Sequence, residues 1–265
     1  MPLTDRVAIS IDGHVATVRL NRADKMNALD MKMFSALAEA ADSLAGDSSV
    51  RAVVIHGAGG NFCAGIDVSV MGGGELDFGE ALSTPLAPSP ANFFQRAAYA
   101  WRELPVPVIC ALEGVVFGGG LQLALGADIR IASPDARLSI MESKWGLIPD
   151  MALTTTLRGL VAPDKVKELA WTARILDSTE AHALGLVTTV VDDPLAAART
   201  LAAECAARSP DAIRGIKALV NQAWQLSEAE SLALEARLQG GIIGGANQTE
   251  AIAANLQKRK PTFKD

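Results

Sequence analysis

Two glycine-rich turns, GAGGNFCAGID at 57–67 and EGVVFGGGLQL at 113–123, each follow an apolar run that reads as a buried strand. Turns with so few side chains let backbone N–H groups approach a ligand oxygen closely. Side by side, they would supply a pair of donors for a developing oxyanion, the second strengthened by the N-terminus of the helix after Gly119. The same glycines also suit tight turns and close helix packing, and the residues alone leave both readings open. Further on, the stretch Glu142-Ser143-Lys144-Trp145-Gly146-Leu147-Ile148-Pro149-Asp150 carries two carboxylates. Gly146 and Pro149 keep it from being one regular helix, so both carboxylates can face one cavity. Proton shuttling needs one group to act as base and another to return the proton. A carboxylate whose pKa is raised by an apolar pocket can do either near neutral pH. Asp150 has a plain structural alternative, capping a helix that begins at Met151.

Other chemistries are excluded by what the chain lacks. G-x-S-x-G, H-E-x-x-H and G-x-x-x-x-G-K-[ST] do not occur. A dinucleotide fingerprint on Gly57, Gly59 and Gly60 would need glycine where Phe62 stands. His14, His56 and His182 fall in a strand, a strand end and a helix and read as structural, which leaves no Ser–His or Cys–His pairing in view. Cys63, beside the first turn, reads as a small buried apolar residue.

The elements that must position these residues follow from patterning. Val7–Ile11 and Val15–Leu20 alternate about the Asp12-Gly13 turn, predicting a β-hairpin. Asp30 caps a helix whose Met33, Phe34, Leu37, Ala41 and Leu44 share one face. Buried strands are expected at Val50–Ile55, Val106–Leu112 and Ile129–Ala132, and helices near Asn92–Glu103 and in LQLALG. Between them, Gly57 to about Pro90 is too long for a simple connection and is expected to be functional or mobile. Strand, glycine-rich turn and helix occur twice, a weak internal repeat. After Pro149 helices are expected at Ser178–Leu184, Pro194–Ala207, Asp211–Trp224 and Ser231–Leu238, with Ser227-x-x-Glu230 as a capping box.

Composition sets the class. The 265 residues are 49% hydrophobic and 20% charged, with 24 Lys plus Arg against 30 Asp plus Glu for a net charge of -6. That length can bury a sizeable core, and that charge disfavours nucleic acid as a partner. Three scattered cysteines suggest neither a zinc site nor a disulfide framework and fit a reducing, cytoplasmic setting. No targeting segment is read at the start, and the apolar stretch at 114–127 is too short for a membrane span.

Taken together, four segments in order resemble the crotonase (enoyl-CoA hydratase/isomerase) superfamily. Asn21-Arg22-Ala23-Asp24-Lys25-Met26-Asn27-Ala28-Leu29 looks like its N-R-P-D-K-x-N-A-L, and Phe62-Cys63-Ala64-Gly65-Ile66-Asp67 like its F-x-A-G-x-D. Gly118-Gly119-Gly120 is similar to its G-G-G helix start, and Lys258-Arg259-Lys260-Pro261-Thr262-Phe263 to its K-R-K-P-x-F tail. The resemblance implies an α/β fold, a spiral of ββα repeats at 1–195 carrying the acyl-CoA site. A C-terminal helical region at 196–265 would follow, for trimerisation, often as a dimer of trimers. It implies an acyl-CoA thioester substrate, with no cofactor beyond the coenzyme A that the substrate carries and no metal. By position, the N–H groups of Ile66 and Gly119 would hold the thioester oxygen of an enolate. Lys25, Ala64, Asp67 and Phe263 would bind the CoA portion.

The acid and base would decide the reaction. Hydratases of the superfamily place glutamates where this chain has Gln122 and Glu142, and a glutamine cannot exchange a proton as a carboxylate does. Dienoyl-CoA isomerases use a glutamate and an aspartate at the positions of Glu142 and Asp150, but usually also have aspartate where Gln122 stands. The resulting expectation is a double-bond shift with Glu142 and Asp150 as proton-transfer groups. The alternatives are 2-enoyl-CoA hydration with Gln122 orienting water, another reaction of CoA esters, or a non-catalytic acyl-CoA-binding protein. The acyl pocket is expected to draw on the segment 68–104 and on helical residues from a neighbouring subunit.

Overall fold

The computed structural model describes residues 5–72 and 78–265. The hairpin forms as the alternation predicts, β1 (Val7–Asp12) pairing antiparallel with β2 (Val15–Leu20). From there the chain repeats one motif: a long strand, a short rung laid across it, and a helix. β2 leads through a rung at Leu29 to α1 (Met31–Ala45), which the Asp30 carboxylate caps by accepting from the Met33 N–H. β3 (Ala52–Gly57) leads through a rung at 63–66 to α2 (Phe78–Ser83) and α3 (Phe93–Glu103). β4 (Val108–Leu112) is followed by β5 (Val115–Phe117) and α4 (Gly119–Gly126). β6 (Ile129–Ala132) is followed by β7 (Arg137–Ser139), the loop bearing Glu142, α5 (Leu153–Thr156) and α6 (Pro163–Thr172). The weak repeat of the sequence is thus the winding of the whole core.

β8 (Leu176–Asp177), α7 (Ser178–Ala183), β9 (Thr189–Val190) and α8 (Pro194–Ala206) complete that core. Among the described residues the long strands align as β1-β2-β3-β4-β6-β9, parallel beyond the first hairpin. The rungs form an inner layer in which Leu29 bridges Ile66, Cys63 bridges Val116, and β5 and β8 flank β7.

The apolar runs are continuous because the main sheet is covered on both faces. On one face Val53, Ile55, Cys110 and Leu112 join the core beneath α1, α3 and α4; on the other, Ala52, Val54, Ile109 and Ala111 meet Ala198, Ala202 and Ala206 of α8. A division at 195/196 therefore falls inside a helix that packs on the sheet. The helices standing off it begin with α9 (Pro210–Ala223), followed by α10 (Glu228–Ile242), with its Ser227–Glu230 capping box, and α11 (Ala246–Leu256). Lys217 ties α9 to the core: its buried ammonium donates to the carbonyls of Trp101 and Val106 and pairs with Asp128 at 2.8 Å. Among the described residues no helix is long and apolar enough to cross a membrane.

Candidate active site

The rungs of successive windings stack so that their ends enclose one cavity of about 400 Å³. Its first wall is the turn after β2. Asn27 organises this turn from within, fully buried with φ 56°, a left-handed conformation that asparagine tolerates better than most residues. Its side-chain oxygen accepts from the Arg22 N–H at 2.9 Å, and its amide donates to the carbonyls of Ala58 and Asn61 at 2.9 and 2.7 Å. Replacement of Asn27 by alanine would strand three half-buried partners, and we expect a loss of about 2 kcal/mol in urea unfolding. A loss below about 0.5 kcal/mol, the range of ordinary surface substitutions, would show that the turn is held by something else.

The second wall is the segment 64–68. Ala64 donates its N–H to Met26, Gly65 to the Cys63 sulfur and Asp67 to Leu29, while the Gly65 carbonyl accepts from Leu29. Of residues 64–67, the Ile66 N–H alone has no partner among the described residues. Gly65 sits at φ 91°, and a Cβ there would stand 2.7 Å from the Phe117 carbonyl oxygen and 3.4 Å from the Gly119 nitrogen, so this turn and the start of α4 are in direct contact. Gly119 opens α4, where the first N–H groups have no partner within the helix. The structure thus packs Gly119 against Gly65 and Ile66; Ile66 and Gly118 line the cavity, and Gly119 lies just behind them, outside its lining.

Glu142 closes the third wall. It begins a short 3-10 turn after β7, is only 6% exposed, and lines the cavity with Met141, Trp145 and Leu147. Its Oε1 accepts from the Gln122 side-chain amide at 2.6 Å, while Oε2 is buried without a partner among the described residues. Burial pushes its pKa above the ordinary carboxylate range; the Gln122 hydrogen bond opposes that rise and the charge of Asp150 adds to it. Asp150 is half-buried and its own pKa is raised by desolvation, but it does not line the cavity. Nor does it cap a helix: α5 begins at Leu153 and its N-cap is Ala152. Gln122 is 1% exposed and also lies behind the lining. Cys63 is fully buried and its thiol pKa is pushed up to about 12, which suits an inert packing role.

Of the residues assigned to the CoA portion, Lys25, Ala64 and Asp67 line the same cavity. Lys25 is exposed and pairs with no carboxylate among the described residues. Asp67 is engaged: Ser69 donates its backbone N–H to it, Arg22 pairs with it at 2.7 Å, and its pKa falls to about 2. Phe263 lies elsewhere. Its carbonyl accepts from Arg51, just before β3 begins, whereas the cavity lies beyond the other end of β3. Within one chain, then, the tail does not reach the site. Of the segment 68–104, Val68 lines the cavity, and residues 73–77 fall outside the described residues. Sequence reasoning did not single out Trp145 and Leu147 as cavity wall, or Asn27 as the organiser of its turn; the signal for Asn27 was its place inside the N-R-A-D-K-M-N segment.

Known proteins share this arrangement from end to end. The Enoyl-CoA hydratase/isomerase family profile matches residues 10–265. A probable enoyl-CoA hydratase of Mycobacterium tuberculosis is 33% identical over 98% of both chains. The mitochondrial methylglutaconyl-CoA hydratase of Mus musculus is 32% identical over 94% of this chain and 79% of its own. The crystal structure of an enoyl-CoA hydratase from Bacillus anthracis superposes with a TM-score of 0.89 at 29% identity, covering 98% of this chain and 99% of that one. With the spiral core, the cavity at the ends of its rungs and these relatives in agreement, the chain belongs to the enoyl-CoA hydratase/isomerase family, the crotonases, enzymes that act on acyl-CoA thioesters.

Proposed function

We propose that this member shifts a double bond along an acyl-CoA chain by proton transfer through Glu142. One observation carries the reading: a single cavity is lined by Ile66, whose N–H has no partner among the described residues and which packs against Gly119 at the start of α4, and by Glu142, a buried carboxylate. With a 3-enoyl-CoA in the cavity, the N–H groups of Ile66 and Gly119 take the thioester oxygen. The Glu142 carboxylate removes a proton from the α-carbon, and the electron pair moves onto that oxygen as a dienolate. Collapse of the dienolate draws the same proton from Glu142 to the γ-carbon, giving the 2-enoyl-CoA and restoring the carboxylate. The two donors act where charge develops, the condition under which such groups accelerate a reaction most. Burial raises the basicity of Glu142 toward working pH, which suits a group that must both take and return a proton.

In this reading Asp150 acts through its charge on Glu142, since it is not part of the cavity lining. Lys25 and Ala64, at the outer end, take the CoA portion, a cation opposite phosphate. No cofactor takes part beyond the substrate's own CoA, and the working assembly is a homotrimer or dimer of trimers in the cytoplasm. A second reading, 2-enoyl-CoA hydration, is favoured by the names of the relatives.

The test is mass spectrometry of products formed from 2-enoyl-, 3-enoyl- and 3,5-dienoyl-CoA in deuterated water. A shifted double bond without added water supports the proposal; water added to the 2-enoyl ester replaces it with the second reading. Asp150→Asn is expected to keep isomerase turnover and move the acid limb of its pH profile to lower pH, because a negative charge beside Glu142 is lost. Abolished turnover in that variant would instead make Asp150 the group that returns the proton.

A further inference from the structure

The Gln122 amide cannot be turned around. Its carbonyl oxygen accepts from the Met151 backbone N–H at 2.8 Å, and a backbone N–H can only donate. The amide nitrogen must therefore face Glu142, and it donates to Oε1 at 2.6 Å. One carboxylate oxygen is thereby held, and the other, Oε2, is left buried without a partner among the described residues. Gln122 itself is 1% exposed and does not reach the cavity. It is placed neither to hold a water against the substrate nor to touch the acyl chain.

We infer that Gln122 is a positioning residue: its amide locks Glu142 through Oε1 and so sets the one orientation from which the carboxyl exchanges its proton. The inference rests on the proposed role of Glu142 as the proton-transfer group. The chemistry is consistent in both protonation states. With Glu142 ionised, Oε1 accepts from the amide; with Glu142 protonated, Oε1 still accepts and the proton sits on Oε2. A carboxylate free to rotate would divide its time between geometries, and a proton-transfer step rewards holding one of them. Met151 thus belongs to the device through its main chain, which ties the position of the loop after Pro149 to the orientation of Glu142.

Gln122→Met keeps the length of the side chain and removes both hydrogen bonds. The hydrogen bond to Glu142 favours its charged form, so its loss should move the acid limb of kcat/KM upward by about one to two pH units. We expect kcat near neutral pH to fall about tenfold or more, with KM changing far less than kcat. Gln122→Glu supplies a rescue with its own signature. Its protonated carboxyl can accept from Met151 and donate to Oε1, so activity should return at low pH and vanish as that group ionises beside Glu142. Infrared titration of the Glu142 carboxyl, by difference against Glu142→Gln, reads the same shift without turnover. If Gln122→Met loses thermal stability while both the pH limb and the infrared titration stay in place, the lock is overturned and Gln122 is only packing. If Glu142→Gln itself turns over normally, it is the role of Glu142 that fails, and the two failures are told apart.

Discussion

Replacing Glu142 by glutamine is expected to lower turnover by about 10³-fold, within the range ordinarily lost with a general acid–base. Binding of acyl-CoA, measured by calorimetry, should be largely preserved. The substitution is close to isosteric and keeps the acceptor that Gln122 needs, so the cavity walls at Met141, Trp145 and Leu147 have no cause to move. The same variant should also be more stable than the parent, and the sign follows from burial. Desolvation raises the folded-state pKa of Glu142 above its ordinary value of 4.5. Below about pH 4 the carboxyl is protonated folded or unfolded, and parent and variant differ little. As pH rises past 4.5 the unfolded chain ionises while the folded chain still holds the proton, so the parent alone loses stability until its folded pKa is passed. A melting-temperature gap between Glu142→Gln and parent should open between pH 4 and neutrality in thermal scans, at about the pH range set by those two pKa values. A gap independent of pH would mean that Glu142 is not held against its ionisation. Unchanged turnover would remove it from the chemistry.

The conflict between function and stability at Glu142 was only half legible in the sequence. A glutamate before a glycine- and proline-broken loop is ordinarily solvated, and the segment resemblance, not the residue, singled it out. What the sequence did not carry was the partner of each carboxylate, because that depends on how β7 and α4 stack across the rungs. Gln122 read as a defective acid; in three dimensions its amide bridges the Met151 N–H and Glu142. Asp150 read as a second proton-transfer group or a cap, and it is neither in the cavity lining nor at an N-cap, because the chain turns through Ala152 in a left-handed conformation before α5.

The fold was more legible wherever patterning was local. The hairpin, the Asp30 and Ser227 caps and the strand Ile129–Ala132 stand where alternation and capping chemistry place them. Among the described residues four helices escaped notice, α2, α5, α6 and α11, the two longer ones for physical reasons. α6 starts with Pro163 at its first position, so the proline reads as punctuation when it is the first helical residue. α11 is preceded by Gly245, which offers no side-chain cap to betray its start. The tail gives the opposite lesson. Its residues resemble the K-R-K-P-x-F tail of the family, yet Arg51 and Asn247 hold it at the far end of β3, since no local pattern encodes which end of a sheet a terminus returns to.

The close packing of the glycine-rich turns and the oxyanion role proposed for them depend on the same contact, and Gly120 is where that can be tested. A Cβ at Gly120 would stand 2.4 Å from the Cys63 carbonyl oxygen and 2.8 Å from the Cys63 Cβ. That carbonyl is fixed, because it accepts from the Phe117 N–H at 3.0 Å. Gly120→Ala must therefore lift α4 from the 63–66 rung, carrying the Gly119 N–H and Gln122 with it, while Ile66 stays anchored between hydrogen bonds to Met26 and Leu29. The expected loss is about 2–3 kcal/mol of stability, the scale of overpacking a tight interior. Turnover should fall by about 10²-fold or more, the effect of misplacing one oxyanion donor. Cys63→Ala should not rescue the variant, since the nearest obstacle is main chain. Gly119→Ala should be milder, because its Cβ meets side-chain atoms, Met151 Sδ at 2.9 Å, Leu29 Cδ1 at 3.0 Å and Ile66 Cγ1 at 3.5 Å, which can give way. If Gly120→Ala instead keeps parental stability but loses turnover, packing and donor spacing are separable. If it keeps both, the seating of α4 on Cys63 does not set the distance between the two donors.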